Sequence, residues 1–144
     1  MLDSPIAEFV NAGMNRRTVL LVDQDEAVMT ALRELLTAAG YTVVPCRCFE
    51  EARRYLQIEC PNAIVSQLRL GAFNGLHLVS LARRTAPTIA AVVYSGRADS
   101  GIGRDASSEG ATYLDRETLI ANLIPHLGGA ARDQASRDAT QFAR

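Results

Sequence analysis

From Thr18 to Leu127 the sequence switches repeatedly between short β-rich runs and stretches with helical spacing, which restricts the chain to a parallel sheet wrapped by helices. Five strands are predicted, at Thr18–Val22, Thr42–Pro45, Ala63–Ser66, Ile89–Ser95 and Thr112–Asp115. The first, third and fourth are nearly continuous apolar runs, as expected of central strands covered on both faces. Ala27, Val28, Ala31, Leu32, Leu35, Leu36 and Ala39 recur at helical spacing, and Gly40 follows where a helix C-terminus favours positive φ. Further helices are predicted at Glu50–Ile58, at Leu76–Arg84 after an Asn74-Gly75 turn, and at Glu117–Leu127. The segment Asp99–Gly110 predicts only a short helix, since Gly101, Gly103, Ser107 and Ser108 lower its propensity. The expected fold is α/β: one domain with a doubly wound five-stranded parallel sheet and five helices.

With 144 residues the chain is of single-domain length, and its 48% hydrophobic content excludes disorder throughout. Fifteen positive and sixteen negative side chains leave a net charge of -1, so no overall field draws the chain to nucleic acid or an anionic membrane. No apolar run approaches the ~20 residues that span a bilayer, and the N-terminus lacks a signal-peptide pattern, so the cytoplasm is the expected compartment. Cys46, Cys48 and Cys60 are read as reduced thiols; their spacing, with His77 and His126 on predicted helices, does not suit zinc. Residues 1–16 are expected to form a leader or short amphipathic helix, with Ser4 as N-cap and Ile6, Phe9 and Val10 on one side, a candidate dimerisation or docking element. Residues 128–144 form a polar tail with too little apolar surface to bury itself, and disorder is expected there.

In such a sheet, ligands bind outside the carboxyl ends of the strands flanking the topological switch point, here the first and third. Asp23-Gln24-Asp25-Glu26 follows the first strand and Ser66-Gln67 ends the third; Tyr94-Ser95-Gly96 ends the fourth, and the fifth runs into Asp115-Arg116. Carboxylates, an amide, a hydroxyl and a guanidinium are therefore expected along one edge.

The order and spacing of Val-Leu-Leu-Val-Asp at 19–23, Asn74-Gly75-Leu76, Val93-Tyr94-Ser95-Gly96 and Gly110-Ala111 before Tyr113-Leu114 resemble the receiver domain of bacterial two-component response regulators, over residues 17–127. The resemblance implies a flavodoxin-like sheet of order 2-1-3-4-5. It also implies a Mg²⁺ site built from an acidic pair after the first strand and an aspartate after the third, which is the phosphoacceptor. A strand-four Ser or Thr and a strand-five Lys complete that site. Asp23 matches the first acid, Ser95 the hydroxyl, and Tyr113 the aromatic whose orientation reports the switched state. Gln24 stands in place of the second acid, Gln67 at the phosphoacceptor, Arg116 at the lysine, Glu117 at the following proline and Gly71 at the proline of the third loop.

A neutral amide cannot serve as the anionic nucleophile of acyl-phosphate formation, so Gln67 is not a phosphoacceptor. No Asp or Glu occurs between Cys60 and Asp99, so a register shift supplies no substitute, and all fifteen positive side chains are Arg, so the lysine has not moved elsewhere. With two of the three acids gone, Mg²⁺ binding is expected to be weak or absent and no cofactor is expected. Charge counting suggests that Asp23 and Asp25 face Arg116 and Arg69 in a self-neutralised pocket, although loop arginines more often point to solvent.

The expected function is a pseudo-receiver: a non-enzymatic, phosphorylation-independent interaction module in a phosphorelay. Its expected partners are signalling proteins such as a histidine kinase or another regulator, and a second copy of the chain. Neither nucleic acid nor a membrane is expected as a partner. Two alternatives are a conventional regulator with a non-standard acceptor, for which Asp25 is the nearest carboxylate, and a small anion- or nucleotide-binding domain using Gly96, Gly101 and Gly103. Tyr113, Leu119, Ile120, Leu123 and Ile124 are expected mostly in the core, while Leu78 and Leu81 suggest a second contact surface on the third helix.

Overall fold

The structure, a computed structural model, describes residues 17–96 and 110–127. Five parallel strands, β1 (Thr18–Val22), β2 (Thr42–Cys46), β3 (Ala63–Gln67), β6 (Ala90–Ser95) and β7 (Thr112–Asp115), form one sheet in the order β2-β1-β3-β6-β7. Between β3 and β6 lies a two-stranded antiparallel hairpin, β4 (Arg69–Leu70) and β5 (Phe73–Asn74). The helices among the described residues are α1 (Glu26–Ala38), α2 (Phe49–Ile58), α3 (Gly75–Thr85) and α4 (residues 116–127). This is the expected flavodoxin-like order. The helix predicted at Asp99–Gly110, the leader at 1–16 and the tail at 128–144 lie outside the described residues.

Strand alternation divides the core into two layers. Leu20, Val22, Ile64, Ala91 and Val93 pack on one face with Phe49 and Ala52 of α2 and Leu78 and Val79 of α3. Val19, Leu21, Val65 and Val92 pack on the other with Met29, Leu32 and Leu36 of α1 and Leu119 and Leu123 of α4. Leu78 has no exposed surface, which corrects its assignment to a second contact surface; the third helix needs it to cover the sheet. Leu119 and Leu123 are core residues as expected, whereas Ile120 is 53% exposed.

Two of the helix starts that flank the site are fixed by side-chain caps. Asp25 caps α1, accepting from the Ala27 and Val28 amides, and Asn74 caps α3, accepting from the Leu76 amide at 2.8 Å. Gly75 is required by a close approach, because a Cβ there would lie 2.4 Å from the Gln67 carbonyl oxygen and 2.7 Å from Ser66 Oγ. Gly71 turns the hairpin at φ +65°, a conformation closed to proline, which explains why the third-loop proline implied by the resemblance is missing. The hairpin itself went unpredicted, since its strands are two residues each and carry no usable period. No helix among the described residues is long and apolar enough to cross a membrane.

Candidate functional site

Period-two alternation delivers three side chains to one spot. Val19 and Leu21 are followed by Asp23, Val65 by Gln67, and Val92 by Tyr94, all on the face covered by α1 and α4. Val22 pairs with Ser66 and Gln67 with Tyr94, so Asp23, Gln67 and Tyr94 form a row across the carboxyl ends of β1, β3 and β6. A cleft of about 120 Å³ opens over this row, rimmed by Ser95, Gly96 and Arg116.

Asp23 is only 1% exposed and Tyr94 only 4%. A carboxylate buried this deeply must be charge-paired or fully hydrogen-bonded. Here it is hydrogen-bonded. The Asp25 amide donates to Asp23 Oδ1 at 2.7 Å, and the Tyr94 hydroxyl donates to Asp23 Oδ2. Hydrogen-bond complementarity assigns the inward position of the Gln67 amide to its nitrogen, 3.1 Å from Asp23 Oδ1 and 3.2 Å from the Arg69 carbonyl, because the opposite orientation would set oxygen against oxygen. Burial first, then the hydrogen bond to Asp23, pushes the Tyr94 phenol far above its usual range, so it remains a donor.

The arginines do not fill the role that charge counting gave them. Neither Arg69 nor Arg116 makes an ion pair among the described residues, and both side chains are exposed. Arg116 stands at the cleft rim, and its charge opposes the upward shift of the Tyr94 phenol. The physical reason is that three of the carboxylate's roughly four lone-pair directions are already met by nearer, neutral donors. Asp25 is likewise engaged as the cap of α1 and exposed, not turned inward against a cation. Gln24 is exposed, its Nε2 3.5 Å from where a Cβ on Gly71 would lie.

Ser95 lies at the cleft rim, and its Oγ accepts from the Tyr113 hydroxyl at 3.2 Å. Asp115, at the end of β7, caps α4: its Oδ1 accepts from the Thr118 amide and hydroxyl, each at 2.9 Å, which lowers its pKa. The site therefore contains most of the residues expected from the sequence, plus Tyr94, whose role was missed. The signal was present, since a tyrosine closing the apolar run Ala90–Val93 two residues after Val92 must share a face with Val92.

The residues do not fit the Mg²⁺ site that the resemblance implies. Mg²⁺ requires octahedral oxygen ligands at about 2.0–2.1 Å, usually with one or two carboxylates free to coordinate. Among the described residues no group of three or more His, Cys, Asp or Glu side chains is placed to hold a metal. At the pocket the Gln67 nitrogen, not its oxygen, faces Asp23. Cys46 is buried and its thiol is pushed up to about 11, chiefly by burial.

Comparison with known proteins accords with this architecture. The solved signal receiver domain of an HD domain-containing protein from Pseudomonas fluorescens Pf-5 superposes with TM-score 0.73 and 25% identity, covering 85% of this chain and 99% of that one. A receiver domain protein from Clostridium thermocellum gives TM-score 0.75 at 18% identity, over 83% and 97% of the two chains, a likeness of fold. Among curated relatives, the photosynthetic apparatus regulatory protein RegA of Cereibacter sphaeroides is 29% identical over 110 residues, 76% of this chain and 60% of RegA. The DNA-binding transcriptional regulator NtrC of Proteus hauseri is 28% identical over 124 residues, 78% of this chain but 26% of NtrC, so the chain spans only part of either relative's length. The family model described as response regulator receiver domain matches residues 19–119, most of the chain, and the protein belongs to that family.

Proposed function

We propose that this receiver domain works as a protein-interaction module of two-component signalling without aspartyl phosphorylation and without a catalytic step of its own. The observation that carries the reading is the state of Gln67. At the end of β3, where the resemblance implies the phosphoacceptor, stands a neutral amide whose nitrogen is committed as a donor to Asp23. Phosphoryl transfer to a carboxylate requires an anionic oxygen aimed at phosphorus and a cation to spread the developing charge. The amide supplies no such oxygen. The nearest other carboxylate, Asp25, is held by two backbone amides at the start of α1, which also argues against a displaced acceptor.

The partners that fit the reading are other signalling proteins, a histidine kinase or another regulator, or a second copy of the chain. The test is incubation of the full chain with acetyl phosphate and Mg²⁺, read by intact mass. The expected result is no phosphoryl adduct in the parent and none in Gln67→Asp alone, with partial phosphorylation in Gln24→Asp/Gln67→Asp/Arg116→Lys. A stoichiometric adduct in the parent contradicts the reading.

A further inference from the structure

We propose that Tyr94 weakens the hold of this pocket on divalent cations, over and above the missing carboxylates, by donating its phenolic hydrogen to the Asp23 oxygen that a cation would otherwise coordinate. The inference deepens the reading above and rests on it for the identity of the pocket. Its basis is the sharing of lone pairs on one buried carboxylate. Oδ1 of Asp23 already accepts from the Asp25 amide and from Gln67 Nε2. Oδ2 is the remaining oxygen, and the Tyr94 hydroxyl donates to it, so a cation there competes with the phenol.

The phenol acts by position as well as by its proton. Tyr94 is anchored in β6, with its ring in the core layer shared with Leu114 and Leu119, so the hydroxyl cannot withdraw without moving a packed aromatic. The cleft above has room for a cation and a few waters, at about 120 Å³. Space is therefore not what excludes the ion. The obstacles are the missing carboxylates at positions 24 and 67 and the competing donor at position 94, and the last can be separated from the others.

Mn²⁺ is the probe, applied to the full chain and read by paramagnetic broadening of the Asp25 amide and by calorimetry. Gln67→Asp supplies a second carboxylate, and Gln67→Asp/Tyr94→Phe also removes the competing donor. The double variant should bind Mn²⁺ about tenfold more tightly than the single, the effect of releasing one hydrogen bond to a charged group. Adding Asp23→Asn should abolish the gain. Affinities equal within about twofold overturn the proposal, as does a gain that survives Asp23→Asn. If Tyr94→Phe fails to fold, Tyr94→Met, which keeps the apolar bulk without the hydroxyl, replaces it in the same comparison. Unfolding of both hydroxyl-free variants also overturns the proposal, because the phenol is then required by the core and not by the site. The acetyl phosphate experiment on the parent decides the functional reading separately, so failure of one leaves the other standing.

Discussion

At opposite ends of the same sheet stand two charged side chains that make no ion pair among the described residues, one negative and one positive. At the carboxyl end, Asp23 is satisfied by a phenol, a side-chain amide and a backbone amide. At the amino end, Arg83 of α3 donates to the carbonyls of Pro87 at 2.5 Å, Ile89 at 3.2 Å and Gly110 at 2.6 Å, tying the helix to the entries of β6 and β7. Its Nε, buried, has no partner among the described residues. Both charges are met by dipoles: two side-chain donors and one backbone amide around Asp23, and three carbonyls of the segments entering β6 and β7 around Arg83. The difference lies in what those dipoles do: Arg83 fastens loops, whereas the groups around Asp23 occupy a ligand site.

The comparison predicts unequal sensitivities. Arg83→Ala removes three donors from three carbonyls and leaves the Gly110 turn, at φ +77°, without its staple. The expected loss is about 3 kcal/mol in urea unfolding, from charge-assisted bonds that solvent replaces only in part. A loss under ~1 kcal/mol would mean that the two ends are not alike.

Tyr94→Phe should cost less, about 2 kcal/mol at neutral pH, since one donor to a charged acceptor is lost and the ring still packs. It should also change the alkaline limb. The folded-state pKa of the Tyr94 phenol is raised above its ordinary value of 10.0, first by burial and then by the bond to Asp23. Its contribution is therefore complete below that value and declines as pH rises past it, by at most about 1.4 kcal/mol per pH unit. Urea unfolding between about pH 8 and 11 should show the parent's advantage over Tyr94→Phe shrinking, while its advantage over Arg83→Ala stays constant. A Tyr94→Phe curve parallel to the parent's would show that the phenol does not titrate with folding.

Much of this architecture was legible in the residues. The parallel sheet followed from the alternation of apolar runs and helical periods, its strand order from the resemblance to receiver domains, and the buried stripe of α1 from the spacing of Leu32 and Leu36. The position of Gln67 followed from the strand that it ends. What escaped was how Asp23 is neutralised. Charge counting assumes that a buried carboxylate seeks a cation, which drew attention to Arg69 and Arg116. Sheet geometry favours the neighbours in its own row, Gln67 and Tyr94, which need no long side chain to be ordered. The β4–β5 hairpin escaped for another reason: Phe73 stacks on Phe49 with centroids 4.4 Å apart, a contact between residues far apart in sequence that no local pattern announces.

The central claim, that neutral donors and not an arginine hold Asp23, is tested most directly by two double-mutant cycles in urea at neutral pH. One pairs Asp23→Asn with Tyr94→Phe, the other Asp23→Asn with Arg116→Ala. The account predicts coupling of about 1–2 kcal/mol in the first cycle, coupling near zero in the second, and Arg116→Ala alone within ~0.5 kcal/mol of the parent. Strong coupling of Asp23 to Arg116, with none to Tyr94, would contradict it.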